Sequence, residues 1–192
     1  MKKRMIAFVA VSLLVVSFLA VSNAAAGTPE RFRFHISNAF IQTGTGLTQT
    51  GARAQADNLD FARVSGKGKF NVSTGTASGG GAFAHTDADG VLVGFGTWTA
   101  IGVSDFEFFG CGGKGLPDNF CGGVLTLDVR LRGTNVTLGA GSFDGVLVVT
   151  CAIGPDVPKG AEEGITLDIP DVINFDDLIP EEGGLTLFVS RD

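Results

Sequence analysis

Val124-Leu125-Thr126-Leu127-Asp128-Val129-Arg130-Leu131-Arg132 is the stretch that decides the fold class of this chain. Leu125, Leu127, Val129 and Leu131 share one parity, and Thr126, Asp128, Arg130 and Arg132 share the other. Successive side chains of a strand point to opposite faces, so a period of two gives a strand with one apolar and one polar face. The same alternation recurs where Phe32, Phe34 and Ile36 interleave with Arg31, Arg33 and His35. Val91, Val93 and Phe95 lead into a further strand holding Trp98, and Val146 to Ile153 is an apolar run of the kind a strand covered on both faces carries.

Turn chemistry extends this outward. Asp89-Gly90 and Asp144-Gly145 each stand between strand-like runs, and Asp-Gly suits tight hairpin turns with positive φ. The spacing therefore predicts two hairpins, one pairing the region of Phe83 with that of Val93, the other pairing Thr137 to Phe143 with Val146 to Thr150. The one helix candidate is Ala52 to Phe61, short and interrupted by Asp57-Asn58.

A pattern of Gly-x-Gly-x-aromatic occurs at Gly66-Gly68-Phe70, Gly79-Gly81-Phe83, Gly94-Gly96-Trp98 and Gly139-Gly141-Phe143. In a strand these three positions share a face, so bare backbone sits beside a ring, and an aromatic from a neighbouring strand can lie over the glycines. Such strands bend readily enough to close a sheet. A second pattern, Gly followed by alternating aliphatic residues and Thr, begins at Gly123, Gly164 and Gly184 at irregular spacing, which does not support a solenoid or propeller. Pro155, Pro158, Pro170 and Pro180 cut residues 155–184 into short pieces. That stretch is predicted to be an acidic, loop-rich segment with one short strand, docked on the sheet through Val172, Ile173, Phe175, Leu178 and Ile179. The whole reads as an all-β, single-domain antiparallel fold of roughly eight to ten strands, either a small barrel or a strongly coiled β-sandwich.

Residues 1–26 read as a removed signal peptide: Lys2, Lys3 and Arg4 precede the apolar run Ile6 to Val21, and Ala24-Ala25-Ala26 supplies small residues for cleavage. Residues 27–192 would then form the mature domain, secreted or held in the cell envelope. With no Cys before Cys111, no lipid attachment at the cleavage point is expected, and with no Tyr and one Trp the aromatic belts of a membrane barrel are missing. No stable membrane insertion of the mature chain is expected.

Removing three of the 14 basic residues leaves 11 against 20 acidic ones, a net charge of −9. From these totals no basic stripe and no nucleic-acid partner are expected. The acidity concentrates after Pro155, where only Lys159 and Arg191 oppose ten carboxylates. This end reads as a solubilising surface.

Cys111 and Cys121 flank a loop with Gly112-Gly113 and Leu116-Pro117, which in an exported chain reads as a disulfide-closed hairpin end. Cys151, among Val148, Val149 and Ile153, reads as a buried inert thiol, although pairings that use it are not excluded by sequence. The stapled loop would present Lys114, Leu116 and Phe120 as ligand-binding residues. Metal and cofactor sites are not expected: no close Cys or His pair suits zinc, Asp87 and Asp89 give only half of a calcium loop, Asp176-Asp177 with Glu181-Glu182 read as a solvated loop, and no Gly-rich loop has phosphate-binding spacing. Asn71-Val72-Ser73 and Asn135-Val136-Thr137 match the glycosylation sequon.

No pattern defines a reaction. The leading expectation is a non-catalytic β domain acting by binding or as a surface or structural module. The alternative is a small β-barrel carrier with a Phe-lined interior for an apolar ligand, and the third an enzyme pairing Asp105 and Glu107 with His35 or His85. The partner would be a surface partner or an apolar small molecule.

Overall fold

The computed structural model describes residues 29–46, 51–113, 115–179 and 185–191. The leader, Lys114, Glu181-Glu182 and Gly184 lie outside the described residues. In chain order the elements are β1 (Arg31–Ile36), α1 (Ala39–Thr45), β2 (Ala52–Gln55), β3 (Phe61–Asn71), β4 (Thr76–Thr86) and β5 (Leu92–Cys111), then β6 (Phe120–Asn135), β7 (Gly139–Cys151), β8 (Gly164–Ile169), β9 (Ile173–Phe175), β10 (Asp177–Leu178) and β11 (Thr186–Ser190).

All eleven strands join one antiparallel sheet, and six of them (β1, β3, β4, β5, β6 and β11) close into a ring. The ring is made possible by two strands that change neighbours along one edge. β3 pairs with β2 through Phe61 to Val64 and with β1 through Gly66 to Asn71, while β4 follows its other edge throughout. β6 likewise meets β11 at Phe120 and Cys121 before passing to β7 from Gly123 onward. The branches β2-β10 and β7-β8-β9 leave this ring and meet again, β2 and β10 lying against β8, so that they enclose the remaining part of the core.

The barrel interior is aromatic. Phe32, Phe34 and Phe188 are fully buried; Phe32 stacks on Phe70 at 5.1 Å between centroids, and Phe70 and Phe188 both meet Phe106, at 4.9 and 5.5 Å. Repeated glycines admit these rings: a Cβ on Gly66 would stand 2.5 Å from Cζ2 of Trp98, and one on Gly68 would enter the ring of Phe34. Irregularities in β5 between Ala100 and Gly102 and between Val103 and Asp105 shift its parity. Trp98 and Ala100 face inward before the first, Val103 packs on the core between the two, and Phe106 and Phe108 face inward after the second, which restores the original parity.

Three expectations are corrected. Asp144-Gly145 is not a turn: both lie inside β7, Asp144 opposite Arg130 and Gly145 opposite Val129, and neither has positive φ. β7 turns back from β6 at Asn135, whose Oδ1 accepts the N–H groups of Thr137 and Leu138, both at 2.9 Å, before Gly139 at φ 88°. Asn71 closes the β3–β4 hairpin in the same manner, accepting from Thr74 at 3.1 Å before Gly75 at φ 62°. In both sequon matches the Asn is thus a turn cap. The second correction concerns Ala52 to Phe61, which is β2, a turn, and the start of β3; Ala52, Ala54 and Ala62 are buried against the sheet, so tertiary packing overrides alanine's helix preference. Finally, residues 155–184 supply three short strands, β8, β9 and β10, rather than one. Phe175 docks there as expected, whereas Val172 is exposed. The Asp89-Gly90 hairpin forms, with Gly90 at φ 80°.

Candidate functional site

Asn38 is where the site begins. Its Oδ1 caps α1 by accepting from the N–H groups of Phe40 at 3.0 Å and Ile41 at 3.4 Å. Its Nδ2 donates to the carbonyl of Gly66 at 3.0 Å and to Nδ1 of His35 at 2.9 Å, which ties the helix to β1 and β3. Gly46, at φ 74°, ends the helix by returning its N–H to the carbonyl of Gln42. One short helix is thereby fixed across the outside of the barrel, and a concavity lies on each side of it.

On one side is an apolar cleft of about 590 Å³. Its walls come from Phe40 and Ile41 of α1, Leu116 and Phe120 of the disulfide loop, Ile153, and Leu185 with Leu187 at β11. Glu163 reaches the same cleft. Its Oε1 accepts the N–H of Thr186 at 2.7 Å, and the N–H of Ala152 supports it as well. Burial nevertheless dominates and raises the Glu163 carboxyl above its ordinary value, with those hydrogen bonds opposing the shift.

On the other side is a wider groove of about 1060 Å³. Arg33 faces Lys69 and His35 faces Lys67 across the β1–β3 ladder, and the N–H of Arg191 bonds the carbonyl of Arg31 at 3.0 Å. Opposed side chains of antiparallel strands stand about 5 Å apart, so these cations share one face. The expectation of no basic stripe is thus corrected: residues far apart in sequence meet through strand register. Bare backbone at Gly79, Gly80 and Gly81 forms the facing wall, and no Asp or Glu lines the groove among the described residues. His35 is pushed down by burial and then by the fields of Arg33 and Lys67. Phe40 belongs to both concavities; half exposed, its ring stacks on His35 at 4.5 Å and meets Phe120 edge-on at 6.4 Å.

The disulfide joins Cys111 to Cys121, opposite residues of β5 and β6, and keeps the loop between them short. Leu116 stands at the cleft 38% exposed, with Phe120 deeper in the wall. Cys151 is buried, its Sγ–H pointing to the carbonyl of Thr186 at 3.4 Å, and desolvation pushes its thiol up to about 12. Such a thiol has almost no nucleophilic thiolate near neutrality.

Asp105 and Glu107 lie exposed on the outer face of β5, remote in the ladder from either histidine. His85 instead pairs with Asp60 through Nε2 at 2.8 Å and sets its ring edge-on to Phe175 at 5.2 Å. His85 borders a second apolar concavity of about 510 Å³, lined among others by Phe95, Leu138 and Phe143. The interior void bounded by Val64, Phe83, Trp98 and Leu147 is too small to admit a water. The phenylalanines expected to line a ligand cavity pack against one another instead.

The described residues include no group of three or more His, Cys, Asp or Glu side chains placed to hold a metal ion, and no helix long and apolar enough to cross a membrane. Comparison with protein-family models, curated proteins and solved structures finds no match to this chain. Sequence reading had missed the contributions of α1 and Glu163. The signal for α1 was present in Asn38 and Gly46, a capping residue and a stop with seven residues between them.

Proposed function

We propose that this protein is an exported, non-catalytic binding domain of the cell envelope or extracellular space, and that it holds an apolar small molecule in the cleft between α1, the disulfide loop and β11. The observation that carries the reading is the cleft itself: apolar walls from three separate elements around about 590 Å³. Ligand sites of roughly 300–1,000 Å³ with apolar walls and few polar groups are typical of small-molecule binding. The signal-like leader and the disulfide support export. The tightly filled barrel favours a role as rigid scaffold, with the ligand held outside it.

Titration with decan-1-ol, followed by calorimetry and by amide shifts of residues 40–44 and 185–187, tests this. Saturable binding is expected, together with its loss in Leu116→Asp, a change at an exposed loop position. Absence of saturable binding, or equal binding by the variant, would overturn the proposal.

A further inference from the structure

We infer that the ligand is an anionic amphiphile, with its chain in the apolar cleft and its charged head on the basic groove across Phe40. This inference rests on the cleft reading above and adds the chemistry of the head group.

The groove concentrates cations that the other described residues do not neutralise. The mature sequence carries more acidic than basic residues, yet no described carboxylate lies within ion-pair distance of Arg33, Lys67, Lys69 or Arg191. Like charges held opposite one another on a ladder oppose folding, so this arrangement is relieved by a bound anion. Ser65, Ser78 and Gln42 add polar groups, while the glycine wall leaves room for a bulky head to approach the backbone.

Two facts join groove and cleft into one site. Phe40 forms part of both, and its half-exposed ring bridges from His35 in the groove to Phe120 in the cleft. The polarity also divides: among the described residues, every cation that lines either concavity lies on the groove side, and the walls of the cleft are apolar apart from Glu163, Thr43 and Thr186. A molecule with one apolar and one anionic part matches that division. Single-stranded nucleic acid fits less well, because it stacks its bases on a series of aromatic side chains and, among the described residues, the groove offers Phe40 as its one exposed ring.

The test compares decyl phosphate with decan-1-ol, below micelle-forming concentrations, on the full mature protein. Charge-assisted contacts to the head are expected to tighten binding roughly ten- to a hundredfold relative to the alcohol at low salt. That gain should shrink as salt is raised, and it should vanish in Lys67→Glu/Lys69→Glu, whose folding is checked by circular dichroism. The imidazole signals of His35 supply an independent readout. Decyl phosphate should raise the His35 pKa by neutralising Arg33 and Lys67, whereas decan-1-ol should not. Decanol binding with no gain from phosphate overturns this inference and leaves the cleft reading standing. Failure of decanol to bind removes the cleft reading. If inorganic phosphate or an oligothymidylate binds as tightly as decyl phosphate, the groove is a separate anion site and the inference fails.

Discussion

The indole of Trp98 lies where a side chain on Gly66 would have to go. A Cβ at residue 66 would stand 2.5 Å from Trp98 Cζ2 and 2.7 Å from the carbonyl oxygen of Gly80. Trp98 is held there by its Nε1–H, which donates to the carbonyl of Ser65 at 3.0 Å, so the ring cannot simply withdraw. Gly66→Ala should therefore destabilise the protein by about 1–3 kcal/mol, the usual cost of overpacking a filled core. Trp98 is the only Trp and there is no Tyr, so denaturation followed by intrinsic fluorescence reports this contact directly. Retained stability in Gly66→Ala would mean that the strands part more easily than their packing implies.

How far sequence determined this fold can be argued from a few residues. Leu125 to Leu131 revealed their strand because every second side chain enters the core. Gly66 and Gly68 revealed the curvature because they stand beside buried rings. Asp144-Gly145 misled because the same pair serves a turn or an in-strand ion pair with a bare inward position, and only β6 and β8 on either side distinguish them. The basic groove was hidden for a different reason. Its cations come from β1, β3 and the residue after β11, and net charge carries no information about which strands become neighbours. Leu116 and Phe120 were within reach of sequence as loop residues, but Phe40 and Glu163 joined them only through long-range packing.

Placing residues 144 and 145 inside β7 has its own test. The Arg130 guanidinium bonds Asp144 through Nε at 2.7 Å and Nη2 at 3.1 Å, but both side chains are exposed, so Asp144→Ala should leave the melting temperature nearly unchanged. Gly145 faces inward, where a Cβ would lie 2.6 Å from the carbonyl oxygen of Asp168. Gly145→Asn should therefore be clearly destabilising in thermal melts. A hairpin turn at this point would reverse the outcome, because Asn accepts positive φ readily.

The cysteines should behave as two chemically separate sets. Mass spectrometry after alkylation of the native protein is expected to find Cys151 unmodified, because a buried thiol raised to about 12 offers neither access nor thiolate. It should label only on unfolding. Replacing Cys111 and Cys121 together by Ser should lower stability by roughly 3 kcal/mol, the loop-closure contribution expected for so short a loop. Because that loop carries Leu116, decan-1-ol affinity should fall as well. A native-state reaction at Cys151 would show that β7 and β11 separate far more often than their packing implies.

Glu163 gives the cleft a pH signature whose sign is fixed by the direction of its shift. Burial raises its folded pKa above the ordinary 4.5, so between that value and the folded one the native chain holds a proton that the unfolded chain has released. Its contribution to stability is complete below 4.5 and is lost as pH rises through the folded pKa. The difference between the stability–pH profiles of the wild type and Glu163→Gln isolates this group from the other carboxylates. An apolar ligand laid over Glu163 removes more water and further disfavours the carboxylate. Decan-1-ol, which does not ionise, should therefore bind more tightly as pH falls through the same window, and Glu163→Gln should abolish that dependence. If affinity is flat with pH in the wild type while binding persists, the alcohol lies elsewhere than over Glu163.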